Sequence, residues 1–209
     1  MRIISSQHRK SGQAFTLIEM IGVLAVIAIL ASMLIPKIFE AINSARINNT
    51  VQSYNAIKTA VLDHYGKYGS INSSNSVPMV AGDAGMLSYD RLVLLHEALI
   101  DKPFVAKVGT TWIIQAVAGA GAVAVTGANS SYDLDGSGTL PNDADPSAFV
   151  VEAVITGVPA ADAIEVSERL DGVALSVPAG GADLLGRVKY ADPAATAGLT
   201  TLHIYIAHR

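Results

Sequence analysis

One long apolar run near the N-terminus constrains this chain more than any other feature. Residues 15–35 read FTLIEMIGVLAVIAILASMLI, and only Thr16, Glu19, Gly22 and Ser32 interrupt the run. A helix of about 20 residues rises roughly 30 Å, which is the thickness of the hydrocarbon layer of a bilayer. The run therefore predicts a helix that crosses a membrane over residues 15–35.

The segment before the run is basic and indicates the orientation of the chain. Residues 1–14, MRIISSQHRKSGQA, contain Arg2, Arg9 and Lys10 and no acidic residue. Basic flanks of membrane helices remain on the cytoplasmic side. We therefore expect residues 1–14 to be cytoplasmic and the chain beyond the run to face the other side of the membrane.

Two kinds of proteolytic processing are compatible with this pattern. A signal peptidase could cut after Ala28, at the end of a tripeptide with small enough residues. Alternatively, a peptidase could cut before the run and leave it at the start of the mature protein. Glu19 favours the second alternative, because a carboxylate within a membrane helix costs about 2.5 to 3.5 kcal/mol and usually serves a function.

The sequence SGQAFTLIEMIGVLAVIAILASMLIP resembles the leader and N-terminal segment of type IV pilins and type II secretion pseudopilins. The resemblance implies that prepilin peptidase cuts between Ala14 and Phe15 and that Phe15 is then N-methylated. Glu19 and Pro36 match the glutamate and the helix-kinking proline of that family in their spacing. The family usually has glycine at the position of Ala14, and this departure bears on the efficiency of cleavage.

The resemblance also implies a structural role. Such a chain is a subunit of a type IV pilus or of a type II secretion pseudopilus. It is first a single-pass protein of the bacterial inner membrane with a periplasmic head. An assembly platform in that membrane then extracts it into a helical filament of its own copies and other pilins, which can extend to the cell surface. Glu19 is expected to meet the Phe15 amine of a neighbouring subunit, and the choice between pilus and pseudopilus stays open.

Beyond Pro36 the apolar residues continue at helical spacing. They form one stripe, while polar residues occupy the other faces. We predict a cleaved leader over 1–14, one long helix over 15–66 and a globular head over 67–209. The stripe consists of Ile47, Val51, Tyr54, Ile57, Val61 and Tyr65.

The head is predicted to combine short helices with strands. Apolar spacing indicates helices over 87–100 and 159–170. Alternation and β-branched residues indicate four strands, and short links between strands favour antiparallel pairing. The expected fold class is α+β and pilin-like, with the long helix packed against a small antiparallel sheet. The predicted strands are 110–117, 148–156, 186–191 and 199–207.

An acidic segment of the head has the beginning of a calcium loop. Asp133, Asp135 and Ser137 alternate and precede Gly138, which permits the sharp turn of such a loop. The twelfth position is Ala144 in place of a bidentate glutamate, so neighbouring carboxylates would have to substitute for it. A calcium site and a solvated acidic turn stay open as alternatives. The candidate ligands are Asp133, Asp135, Ser137, Thr139, Asp143 and Asp145.

Composition excludes several classes of protein. The chain has no cysteine, which excludes disulfides and thiolate metal sites. Loss of the three basic leader residues would lower the net charge from −4 to −7, and so we expect no nucleic-acid partner. No catalytic constellation is visible, and we expect a structural protein without enzyme activity. The alternative function is a secreted calcium-binding domain that signal peptidase releases.

Overall fold

The structure is a computed structural model of the 209-residue chain. It describes residues 15–71, 86–118, 132–136, 149–176 and 181–208. The chain divides into two compact units, one ending at Asn43 and the other beginning at Ser44. Each unit is described by itself.

A single helix, α1 (Leu17–Tyr68), contributes to both units. The helix predicted over 15–66 runs two residues further, to Tyr68. The residue that ends it is Gly69, which has a φ of 66° and donates its N–H to the carbonyl of Tyr65 at 2.8 Å. Glycine suits this left-handed position because it has no Cβ.

The head contains one sheet of five strands in the order β1-β2-β3-β5-β4, and every pairing is antiparallel. The predicted α+β class with a long N-terminal helix and an antiparallel sheet is confirmed. The central pair, β3 and β5, joins strands that are far apart in the sequence. The strands are β1 (Met86–Leu87), β2 (Thr111–Ala118), β3 (Phe149–Pro159), β4 (Val188–Tyr190) and β5 (Leu199–His208).

A second helix, α2 (Ala160–Asp171), follows β3 directly, as the sequence predicts. The helix predicted over 87–100 is shorter than predicted and is of the π type. The chain there forms the short strand β1 and then a five-residue π-helical turn, Asp90–Leu94. The carboxylate of Asp90 is buried and accepts the N–H of Phe104 at 2.8 Å, which ties the turn to a distant loop. A long-range bond of this kind cannot be read from local apolar spacing.

The core of the head lies between one face of α1 and one face of the sheet. Ile47, Tyr54, Ile57 and Val61 of the predicted stripe are buried, whereas Tyr65 is 44% exposed. The prediction that Tyr65 packs with the rest of the stripe is therefore wrong. The inward residues of the sheet alternate along the strands, as the pleat requires. They include Ile114, Val151, Ala153, Ile155, Leu202 and Ile204.

Candidate functional site

Glu19 lies in the first turn of α1 and caps its N-terminus. Its Oε2 accepts the N–H of Thr16 at 2.8 Å and the Thr16 hydroxyl at 2.7 Å. The Glu19 N–H donates in return to Thr16 Oγ1 at 3.3 Å. This is a capping box, in which a threonine and a glutamate three residues later satisfy helix N–H groups that have no intrahelical partner.

The capping box uses one oxygen of the Glu19 carboxylate, Oε2. Among the described residues, its Oε1 accepts no hydrogen bond, and the side chain is exposed. Phe15 precedes the helix and is 82% exposed, while Ala14 lies outside the described residues. The structure thus places the predicted assembly glutamate one turn from Phe15 but leaves the predicted cleavage site itself undescribed.

The first part of α1 exposes a mostly apolar surface. Every residue from 15 to 42 is exposed, and Ile21, Leu24, Ile27 and Leu34 are each more than half exposed. By length and composition α1 is able to cross a membrane. Apolar surface of this extent is unfavourable in water, because each Å² costs about 25 cal/mol. Such a surface is therefore expected to be covered by something other than water.

Pro36 lies inside α1, and the helix continues on both sides of it. Proline lacks an N–H, so the carbonyl of Ser32 loses its usual partner one turn later. The Ser32 hydroxyl donates to the carbonyl of Ile29 at 2.7 Å, a local bond that often accompanies bending of a helix. Pro36 therefore lies at a weakened point of an otherwise continuous helix.

Only two of the six candidate calcium ligands lie in the part of the chain that the structure describes. Asp133 is buried and Asp135 is exposed, whereas Ser137, Thr139, Asp143 and Asp145 lie outside the described residues. Within the described ranges, no three His, Asp or Glu side chains are grouped so that they could hold a metal ion. The calcium site therefore stays a prediction.

The face of the sheet that points away from α1 carries a buried polar cluster. Glu152 alternates with the core residues of β3 and is fully buried. Its carboxylate accepts the Gln115 amide and, at 2.6 Å, the hydroxyl of Tyr132. His203 Nδ1 lies 3.4 Å from the same carboxylate. A buried carboxylate requires such partners, because an unpaired one would be costly.

Lys189 of β4 is also part of this cluster and is only 1% exposed. Its Nζ lies 5.0 Å from the centroid of the Tyr132 ring, within the range of a cation–π interaction. Burial lowers the pKa of Lys189 to about 8, although the carboxylates of Asp133 and Glu152 oppose the change. The positive charge of Lys189 thus already balances part of the negative charge of Asp133.

Comparison with known proteins identifies one segment of the chain. Residues 9–35 match the family model described as the prokaryotic N-terminal methylation motif. The chain carries an N-terminal methylation motif. No curated protein and no solved structure matches the chain.

The methylation motif is the hallmark of the prepilin-type signal of type IV pilins and pseudopilins. The predicted resemblance to these proteins is therefore confirmed over residues 9–35. The motif supports processing by prepilin peptidase, and with the apolar half of α1 it supports anchoring in a membrane. The match covers the N-terminal segment, so the head is interpreted from its own structure.

Sequence reasoning missed two features of these sites. The capping box was visible as Thr16 and Glu19 at the required spacing, at the start of the apolar run. The polar cluster had a weaker signal: Glu152 and Lys189 are single charges within apolar strand segments. Which charges meet depends on strand order, and the sequence alone does not reveal that order.

Proposed function

We propose that this chain is a structural subunit of a type IV pilus or a type II secretion pseudopilus. Prepilin peptidase would release residues 1–14, and the mature chain would start at Phe15, where its amine is methylated. The subunit would stand in the inner membrane with its head in the periplasm until an assembly platform extracts it into a helical filament. Copies of this chain and other pilins would be its partners.

The observation that carries this proposal is the exposed apolar half of α1 together with the methylation motif. Residues 15–42 have no covering surface within the described chain, and residues 9–35 match the motif. A bilayer covers such a helix before assembly, and the helices of neighbouring copies cover it in a filament. The same apolar surface of α1 is thus compatible with the membrane-bound subunit and with the assembled filament.

The exposed part of the Glu19 carboxylate supports a role in assembly. Cleavage before Phe15 would create a cationic amine one turn from Glu19. In apolar surroundings either charge alone is costly, and the pair attracts strongly. Because capping uses Oε2, Oε1 remains able to accept the Phe15 amine of a neighbouring copy.

We also propose that the segment from Asp133 to Asp145 binds calcium in the assembled or membrane-bound subunit. The alternation of oxygen-bearing side chains before a glycine supports this proposal. Lys189 works against it, because its ammonium group is attracted to Asp133 and would compete with a cation there.

Production of the full chain in a bacterium that has prepilin peptidase and a pilus assembly platform tests the proposed function. We expect sheared cell-surface material to contain filaments in which this chain is a component, visible by electron microscopy and antibody labelling. Release of a soluble chain that starts after Ala28 would contradict the proposal and support the secreted alternative. Retention of all chain in the membrane fraction would also contradict it.

A further inference from the structure

A groove beside α1 brings two cations together over an apolar floor. Its volume is about 490 Å³, and α1, β5 and the segment before β4 contribute its walls. Leu62 and Tyr65 in its wall are 53% and 44% exposed, so the described part of the chain covers this surface incompletely. We call this surface the α1 groove, and its principal residues are Lys58, Leu62, Tyr65, Leu134 and Arg187.

The two cations of the α1 groove are not neutralised by direct ion pairs. Neither Lys58 nor Arg187 has a carboxylate within 4.0 Å in the described part of the chain. Burial and then repulsion by Arg187 lower the pKa of Lys58. The carboxylate of Asp171 attracts both Lys58 and Arg187. Its Oδ2 already accepts the backbone N–H groups of Arg187 and Val188. The groove therefore favours an anionic group from outside.

The same head exposes a surface of complementary character on α2. Val173, just after α2, is 77% exposed, and Ile164 is half-buried on the helix. Glu168 lies between them and is exposed. The neighbouring cation Arg169 is held by Glu165, by Ser44 and by Asn48, so it does not neutralise Glu168. We call Ile164, Glu168 and Val173 the α2 patch.

The α1 groove and the α2 patch are two different surfaces of the same head. Asp171 accepts the backbone N–H groups of Arg187 and Val188, so the C-terminal end of α2 lies beside the groove. Contact between two different surfaces on identical chains is heterologous, and it forms an open filament unless the rotation between copies closes a ring.

We propose that the α2 patch of one copy of this chain docks in the α1 groove of the next copy. Glu168 meets Lys58 and Arg187, while Val173 and Ile164 cover Leu62 and Tyr65. The occupant is a second copy because the same chain supplies the opposite charge and the matching apolar side chains. This inference rests on the proposed filament function and names the head contact within it.

The absence of cysteine makes the contact testable by disulfide cross-linking in the full chain. Two versions carrying different tags, one with Leu62→Cys and one with Val173→Cys, are produced together with the assembly machinery and oxidised. We expect a dimer that contains both tags, in the sheared filaments and in the membranes. Leu92→Cys in place of Leu62→Cys is the matched control, since Leu92 is 47% exposed but lies outside the groove.

Charge reversal supplies a second measurement on the same cross-link. Arg187→Glu should lower the dimer yield about tenfold, which corresponds to 1.4 kcal/mol. Addition of Glu168→Arg to the partner version should restore most of the yield. Filaments without the mixed dimer, or with equal yield from the Leu92→Cys control, would overturn the docking contact and leave the filament function standing. A mixed dimer in the membranes of cells that form no filaments would support the contact and contradict the filament function. Absence of the dimer from both membranes and filaments would overturn the contact.

Discussion

At the scale of single residues, Glu19 has two roles that can be separated. It completes a capping box with Thr16, and it retains an oxygen without a hydrogen bond within the described chain. Glutamine also serves at this position of a capping box. The cap therefore needs a hydrogen-bond acceptor, whereas the proposed contact with a neighbouring amine needs a negative charge.

We predict that Glu19→Gln reduces filament yield at least tenfold while membrane insertion and helix content stay unchanged. The reason is that glutamine preserves the cap but does not attract a cationic amine. Thr16→Ala is the matched control: it removes about 1 kcal/mol of capping and keeps the charge, so filaments should still form. Quantification of sheared filaments measures both variants, and normal yield from Glu19→Gln would reject the role of the charge.

The acidic segment of the head offers a second test at the residue scale. We predict that calcium raises the melting temperature of the full chain in detergent, because a ligand that binds only the folded state stabilises it. Asp133→Ala combined with Asp135→Ala should abolish the increase, whereas Asp63→Ala, which removes an exposed acid of α1, should not. An unchanged melting temperature of the unsubstituted chain in calcium would reject the site.

Residue patterns predicted some of these sites and could not predict others. The spacing of Phe15, Glu19 and Pro36 is local, so the sequence was sufficient to identify the segment that the methylation motif matches. The neighbours of Glu152 come from β2, from β5 and from the segment at Tyr132. To predict such contacts, one must know the register of the sheet and that β3 pairs with β5, which is not the next strand in the sequence.

At the scale of elements, α1 changes its surroundings along its length. Residues 15–42 are exposed, and one face of the later part packs against the sheet. His64 lies on this buried face, and its Nδ1 is 2.8 Å from Glu97 Oε2 in a buried contact. The apolar stripe predicted most of this face, but His64 was not predicted because its partner is distant in the sequence.

Packing of α1 on the sheet should dominate the stability of the head. Ile57 is 3% exposed, and Ile57→Ala should lower the free energy of unfolding by about 2 to 5 kcal/mol, because it leaves a cavity in the core. Leu62→Ala is the control on the exposed side of the same helix and should change it by about 0.5 kcal/mol or less. Denaturant unfolding of the full chain in detergent measures both. Equal effects would contradict the assignment of the buried face.

At the scale of the whole molecule, buried tyrosines make the fold sensitive to alkali. Burial is the main cause that raises the pKa of five tyrosines, and that of Tyr190 rises to about 12. Unfolded tyrosine ionises near pH 10, so the stabilisation is complete below about pH 10 and is lost as the pH rises further. The five are Tyr54, Tyr89, Tyr132, Tyr190 and Tyr205.

Lys189 has the opposite effect on the pH dependence of stability, and this effect occurs at lower pH. Its pKa is about 8 in the folded chain and about 10.4 when unfolded, so the unfolded chain binds more protons over this interval. Stability should therefore rise between about pH 8 and 10 and fall above about pH 10. Denaturant unfolding across this range measures the profile. Stability that stays constant above about pH 10 would contradict the burial of the tyrosines.

At the same scale, the proposed function is that the chain is made as a precursor and acts as a processed filament subunit. The mass of the N-terminal peptide, from chain purified from sheared filaments or membranes, tests this claim most directly. We predict a peptide that begins at Phe15 with one methyl group on its amine. A peptide that begins after Ala28, or one that retains residues 1–14, would contradict it.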